Sequence, residues 1–136
     1  MKVLKLLSAI VLVLLLTGCL SAARTEYYAQ RENYISAAGV VTHISNDEEN
    51  RSLYIAFQSL EPAFDDNNFK LAGENYDTVM ERGILDALQL GTAVEFTSAP
   101  RYFGDGYVMP IASIEIAGVT YLTFEEGFAS LSKSIQ

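Results

Sequence analysis

Between residues 36 and 123 the apolar residues fall into short β-branched runs, several of them alternating, and clusters of turn-forming residues separate the runs. This pattern limits the fold more than any other feature, because alternation sends every second side chain to one face of a strand. The chain must therefore assemble several short strands around a shared interior. Ser36–Ser45 contains Gly39-Val40-Val41-Thr42-His43-Ile44, and Asn46-Asp47-Glu48-Glu49-Asn50-Arg51 is a polar turn. The second run, Leu53-Tyr54-Ile55-Ala56-Phe57, puts Leu53, Ile55 and Phe57 on one face. A loop from Ser59 to Asn68, with Pro62 inside it, leads to a short third strand, Phe69-Lys70-Leu71-Ala72, closed by Gly73.

The period then changes. Tyr76, Val79, Met80, Ile84 and Leu88 are spaced for one face of a helix over 75–88. Asn75 is the expected N-cap, Thr78 with Glu81 offers a capping box, and Gly91 suits the C-terminal stop. Gly83 costs about 1 kcal/mol relative to alanine in a helix interior. It either lets the helix pack closely on the sheet or splits it in two. Strands follow at Thr92–Ser98, with Val94 and Phe96 inward, at Tyr107–Ile116, and at Val119–Thr123 after the Ala117-Gly118 turn. Phe124, Phe128, Leu131 and Ile135 then recur at helical spacing, and Thr123 with Glu126 is a second capping-box signature. This last helix is expected over an open end or edge of the sheet.

Three strands, one helix and two strands, with an added hairpin arm and a terminal helix, form a succession that resembles the OB-fold, a small partly open barrel. Gly39-x-Val41 and Leu88-x-Leu90-Gly91-Thr92-x-Val94-x-Phe96 look OB-like as well. The expected fold is mainly β, a small OB-like β-barrel; the alternative is an α+β domain with an open antiparallel sheet. Both readings predict one core: Val41, Ile44, Leu53, Ile55, Phe57, Val79, Leu85, Leu88, Val94, Phe96, Ile111, Ile114 and Ile116.

Ahead of this domain lies a different kind of sequence. Lys2 and Lys5 precede an apolar run from Val3 to Leu16, which ends in Leu16-Thr17-Gly18-Cys19. The run is shorter than the roughly 18 to 20 apolar residues that a membrane-spanning helix needs, and its layout is that of an export signal. Its ending resembles the lipobox of bacterial lipoproteins. That resemblance implies cleavage after Gly18, a thioether-linked diacylglycerol on Cys19, and an acyl group such as palmitate on the new amino terminus. One acyl chain is a reversible anchor and two or three are a stable one. The expected organisation is a cleaved signal peptide over 1–18, a lipidated tether over 19–33 and a single domain over 34–136. Leu20 is not the aspartate that resembles an inner-membrane retention signal. The expected location is thus the outer membrane of a two-membrane cell, or the outer face of the plasma membrane where there is one membrane.

Removing residues 1–18 leaves 118 residues with seven basic side chains against 17 acidic ones, a formal charge of −10. Such a surface repels phosphate backbones, which argues against nucleic-acid binding. With Cys19 lipidated no cysteine is left, so packing alone must hold the domain, and 8 tyrosines and 7 phenylalanines supply apolar area for it.

No catalytic residue and no cofactor is assigned from the sequence. His43 is the only histidine, and no nucleophile elbow accompanies it. Asp65-Asp66-Asn67-Asn68 and Asp105 offer hard oxygens of the kind calcium takes, but the spacing is not an EF-hand, and Asp and Asn equally make turns. Pro100-Arg101-Tyr102-Phe103-Gly104-Asp105-Gly106-Tyr107 sets one guanidinium among three aromatic rings, in the place of the fourth-to-fifth strand loop that borders an OB-fold's binding face. Arg101, Tyr102, Phe103 and Tyr107 are therefore candidate contacts to another envelope protein or an envelope glycan. A hairpin whose glycines merely turn the chain accounts for the same residues. Glu125 and Glu126 are explained by the dipole of the terminal helix. The functional expectation is a membrane-anchored binding domain. Its alternatives are a hydrolase pairing Asp65 or Asp66 with Asp105, and a calcium-stabilised structural lipoprotein.

Overall fold

The computed structural model describes residues 26–100 and 108–133. Residues 26–28 are helical and Arg31–Asn33 form a 3-10 turn. Then come β1 (Ile35–Asp47), β2 (Ser52–Glu61), β3 (Asn68–Ala72), α1 (Glu74–Glu81), α2 (Ile84–Ala87), β4 (Ala93–Ser98), β5 (Met109–Ile116), β6 (Val119–Leu122) and α3 (Phe124–Lys133). The strands lie in the order β3-β2-β1-β4-β5-β6, and every neighbouring pair in that order is antiparallel. A further parallel pairing of β3 with β5, Phe69 opposite Met109 and Lys70 opposite Pro110, closes the sheet into a ring. The fold is thus mainly β with OB-like strand succession, and the open-sheet alternative is overturned by that closure.

The ring closes because β1 is long and bent. Its first half pairs with β4 from Ile35 to Val40, while it pairs with β2 from Ala38 to Asp47. Register shifts between Ala38 and Val40 and between Val41 and His43 coil the strand, as bulges do. Gly39 sits at the first of them, where a Cβ would lie 2.9 Å from Phe57 Cβ. The absence of a side chain is what allows β1 to approach β2 there.

The helix expected over 75–88 is split. Gly83 adopts a left-handed conformation (φ +77°), its N–H donating to Met80 O, and α2 restarts beyond it. Ile84 and Leu88, on the expected helix face, are buried, whereas Leu85, also expected in the core, is 39% exposed. The cap also differs. Gly73 occupies the N-cap position, while Asn75 is buried and donates from Nδ2 to Gly127 O at 3.3 Å. Thr78 donates back to Glu74 O instead of capping with Glu81.

Inside the ring, Leu53, Ile55, Phe57, Phe69, Leu71, Val94, Phe96, Ile111, Ile114 and Ile116 form the core, with Val79, Ile84 and Leu88 from the helical segment. Ile44 is partly buried against it. Phe57 stacks on Phe96 at 4.7 Å between ring centroids, and Phe69 meets both rings edge-on. The β5–β6 hairpin turns at Ala117 and Gly118, both at positive φ, the geometry that suits a two-residue turn.

A second, smaller cluster lies outside the ring, where α3 packs on β5. Tyr28, Tyr34, Ala99 and Ala112 are buried there, with Phe124, Phe128 and Leu131 packed against them. The expected apolar stripe of α3 is thus in place as far as Leu131; Ile135 lies outside the described residues. Thr123 and Glu126 form the expected capping box: Glu126 N donates to Thr123 Oγ1 at 3.2 Å and Thr123 N to Glu126 Oε1 at 3.1 Å. Gly127 carries the helix against the strand, since a Cβ there would meet Ala112 O at 1.8 Å. Residues 26–33 of the expected tether are seated on this cluster, Tyr34 donating its hydroxyl to Tyr28 O at 2.7 Å.

Candidate functional site

With the ring interior filled by side chains, the surface features are what remain for contact with a ligand. One is a shallow groove of about 590 Å³ on the outer face of β1, β4, β5 and β6, bordered on one side by Phe124 of α3. Strand pairing explains its composition. The inward residues Phe96 and Ile114 alternate with outward neighbours, so each lateral row of the sheet lines up side chains of one kind of position. One row runs Glu61, Ala38, Glu95, Glu115, Thr120 across five strands. The next holds Ser36, Thr97 and Ser113, with Ser113 Oγ donating to Thr97 Oγ1 at 2.6 Å.

The electrostatics of the groove are one-sided. Glu95 and Glu115 are direct cross-strand partners, an arrangement that is destabilising for like charges. Among the described residues the three ion pairs all lie elsewhere: Arg31–Glu125, Arg51–Asp77 and Arg82–Glu126. The small side chains of Ala38, Ser36 and Ser113 form the floor between carboxylates that can only accept hydrogen bonds when ionised. A polyhydroxylated or cationic ligand suits such a surface; a phosphorylated one does not.

The residues singled out from sequence are placed as follows. Cys19, Arg101, Tyr102, Phe103, Asp105 and Tyr107 lie outside the described residues. The strand ends that flank 101–107 are held firmly: Ser98 Oγ donates to Pro110 O at 2.6 Å and Ala99 is fully buried. Asp66 is committed to a turn, its Oδ1 accepting from Asn67 N at 2.7 Å, Asn68 N at 3.1 Å and Asn68 Nδ2 at 2.7 Å. Asp65 is exposed beside it, on a smaller hollow of about 450 Å³ between the end of β2 and residues 63–67. Among the described residues no group of three His, Cys, Asp or Glu side chains could hold a metal ion. His43 is exposed on the outer face of β1, opposite Ala56.

Glu125 and Glu126 are occupied structurally. Arg31 grips Glu125 with two bonds of 2.6 and 2.7 Å, and Arg82 grips Glu126 with two of 2.8 and 2.6 Å. Hydrogen bonding to Arg82, then to Thr123, holds the Glu126 carboxyl down at about 2. Burial pushes the Tyr34 phenol well above its ordinary value, so it stays a neutral donor.

The Glu61–Glu95–Glu115 row went unnoticed in the sequence. Its signal was present in Val94-Glu95-Phe96 and Ile114-Glu115-Ile116, each a carboxylate between two inward residues. What could not be read was the register that puts them side by side. No family model, no curated protein and no solved structure matches this chain. The OB-like character therefore rests on strand succession and pairing alone. No helix among the described residues is long and apolar enough to cross a membrane.

Proposed function

We propose that this chain is a lipoprotein, anchored through Cys19 on the extracytoplasmic side of a bacterial membrane, whose domain binds another envelope component and performs no chemistry on it. The reading is supported at one end by the signal-like run closing in Leu16-Thr17-Gly18-Cys19. At the other, the single observation that carries it is the groove across β1, β4, β5 and β6, exposed and negative, on a ring whose interior is full. Between an envelope protein and an envelope glycan, a groove lined by hydroxyls and carboxylates with a phenylalanine at its border favours the glycan, whose hydroxyls donate to carboxylates and whose ring faces pack on aromatic side chains.

Crosslinking of the intact lipidated protein in membranes tests the reading. Glu95→Gln with Glu115→Gln keeps the shape of the groove, removes its charge and is expected to weaken capture of the envelope partner. Arg101→Ala with Tyr102→Ala probes the aromatic–arginine segment in the same assay. Capture unchanged in both double variants overturns the binding reading.

A further inference from the structure

We infer that the face formed by residues 26–34 and α3 is the one turned toward the lipid bilayer, and that the β1–β2 turn points away from it. The inference rests on the proposed lipidation of Cys19 and adds to it an orientation. Residues 20–25 are all that separate Cys19 from Glu26. Seven Cα-to-Cα steps reach at most about 25 Å when fully extended. From Tyr28 onward the chain is tied down: Tyr28 is buried, Tyr34 donates to its carbonyl, and Arg31 bonds Glu125 while its guanidinium lies 4.7 Å from the centre of the Phe128 ring. The leash is therefore short and ends on a rigid attachment.

β1 begins directly after that attachment and runs 13 residues to the turn at Asp47–Arg51. At the usual rise this is on the order of 40 Å of strand, shortened somewhat by its coiling. A leash of about 25 Å excludes the inverted pose, in which the turn stands on the membrane and Glu26 is held above it. The chemistry of the attached face agrees. Tyr27, Phe124, Phe128 and Leu131 are only partly buried, and rings with one wet edge are suited to the headgroup layer. Charge does not set the pose, because Glu26 and Glu32 outnumber the already paired Arg31 on the segment.

The test uses the full-length lipidated protein in phosphatidylcholine vesicles carrying a headgroup quencher. Lipidation consumes the only native cysteine, so a fluorophore can be placed on Ala129→Cys in α3 or on Glu49→Cys in the β1–β2 turn. Both positions are exposed. Quenching at 129 is expected to exceed that at 49 several-fold. Equal quenching, or stronger quenching at 49, with mass spectrometry confirming lipid on Cys19, overturns the orientation and leaves the anchor intact. Unlipidated protein that binds the vesicles as well as the lipidated form does overturns the anchor itself, and the orientation falls with it. In a second variant a Gly/Ser run of about 20 residues is inserted between Thr25 and Glu26, adding about 25 Å of mean span. The asymmetry is expected to collapse, and its persistence overturns the short leash as its cause.

Discussion

The two apolar clusters of this protein hold different things in different ways. The ring core is assembled from β1 through β6 and the split helix, from side chains that are almost all aliphatic or phenyl, and its largest members are fully buried. The satellite cluster under α3 is built on tyrosines and on half-buried Phe124, Phe128 and Leu131, and exposed Arg–Glu pairs close its rim. The ring depends on dry packing between residues distant in sequence, so it opens only when the whole domain does. The satellite depends on one helix, one short segment and ion pairs in water, each of modest worth. It is the part expected to open locally. What the comparison teaches is that the attachment of the N-terminal segment is the softer half of the molecule.

Substitutions in the two clusters can break or sharpen that contrast. The largest effect is expected from Phe69→Ala, which empties a position touching Phe57, Phe96 and Phe64. Removal of a buried phenyl ring costs about 3–5 kcal/mol, and denaturant unfolding should show it as one global transition. Gly127→Ala comes next. Its Cβ cannot coexist with Ala112 O, so α3 must lift, at about 1–3 kcal/mol as for overpacked sites. Hydrogen exchange should show lost protection in α3 with the ring strands unchanged. If the ring strands lose protection equally, the two clusters form one cooperative unit and the contrast is wrong.

The smallest effect concerns Glu126. Its carboxyl, held at about 2 against an ordinary value of 4.5, contributes stability that is whole above pH 4.5 and is lost as pH falls toward 2. Glu126→Gln is expected to lower stability by about 0.5–1 kcal/mol at neutral pH, a figure already reduced for solvent screening. The gap between variant and parent should close as the pH is lowered through that window. A gap that does not change between pH 5 and pH 2 would assign the role to the capping geometry alone.

Much of this organisation was legible along the chain. Leu53, Ile55 and Phe57 announce an inward face because strand periodicity is local, and Thr123 with Glu126 announces a helix start because a capping box spans four residues. Leu85 was misplaced because it lies about 100° round the helix from Ile84, off the face that Tyr76, Val79, Met80, Ile84 and Leu88 already define; the break at Gly83 was left open because glycine's choice between helical and left-handed backbone is made by its surroundings. Tyr28 read as part of a polar tether because its burial depends on α3, about a hundred residues later. The Glu61–Glu95–Glu115 row stayed hidden for a related reason: each glutamate looks like an ordinary outward residue until register brings it beside the others.

The sequence by itself determined the six strands, the helical segments between β3 and β4 and after β6, and which strand faces point inward. These follow from periodicity, turn chemistry and composition, which act over a few residues at a time. Only the tertiary structure decided that β3 meets β5 to close the ring, that α3 and the N-terminal segment share a cluster, and that three carboxylates line one groove. Each of these joins residues far apart in the chain. Each is set by how the bent β1 and the glycines at 39 and 127 let distant backbones approach, which no local pattern encodes.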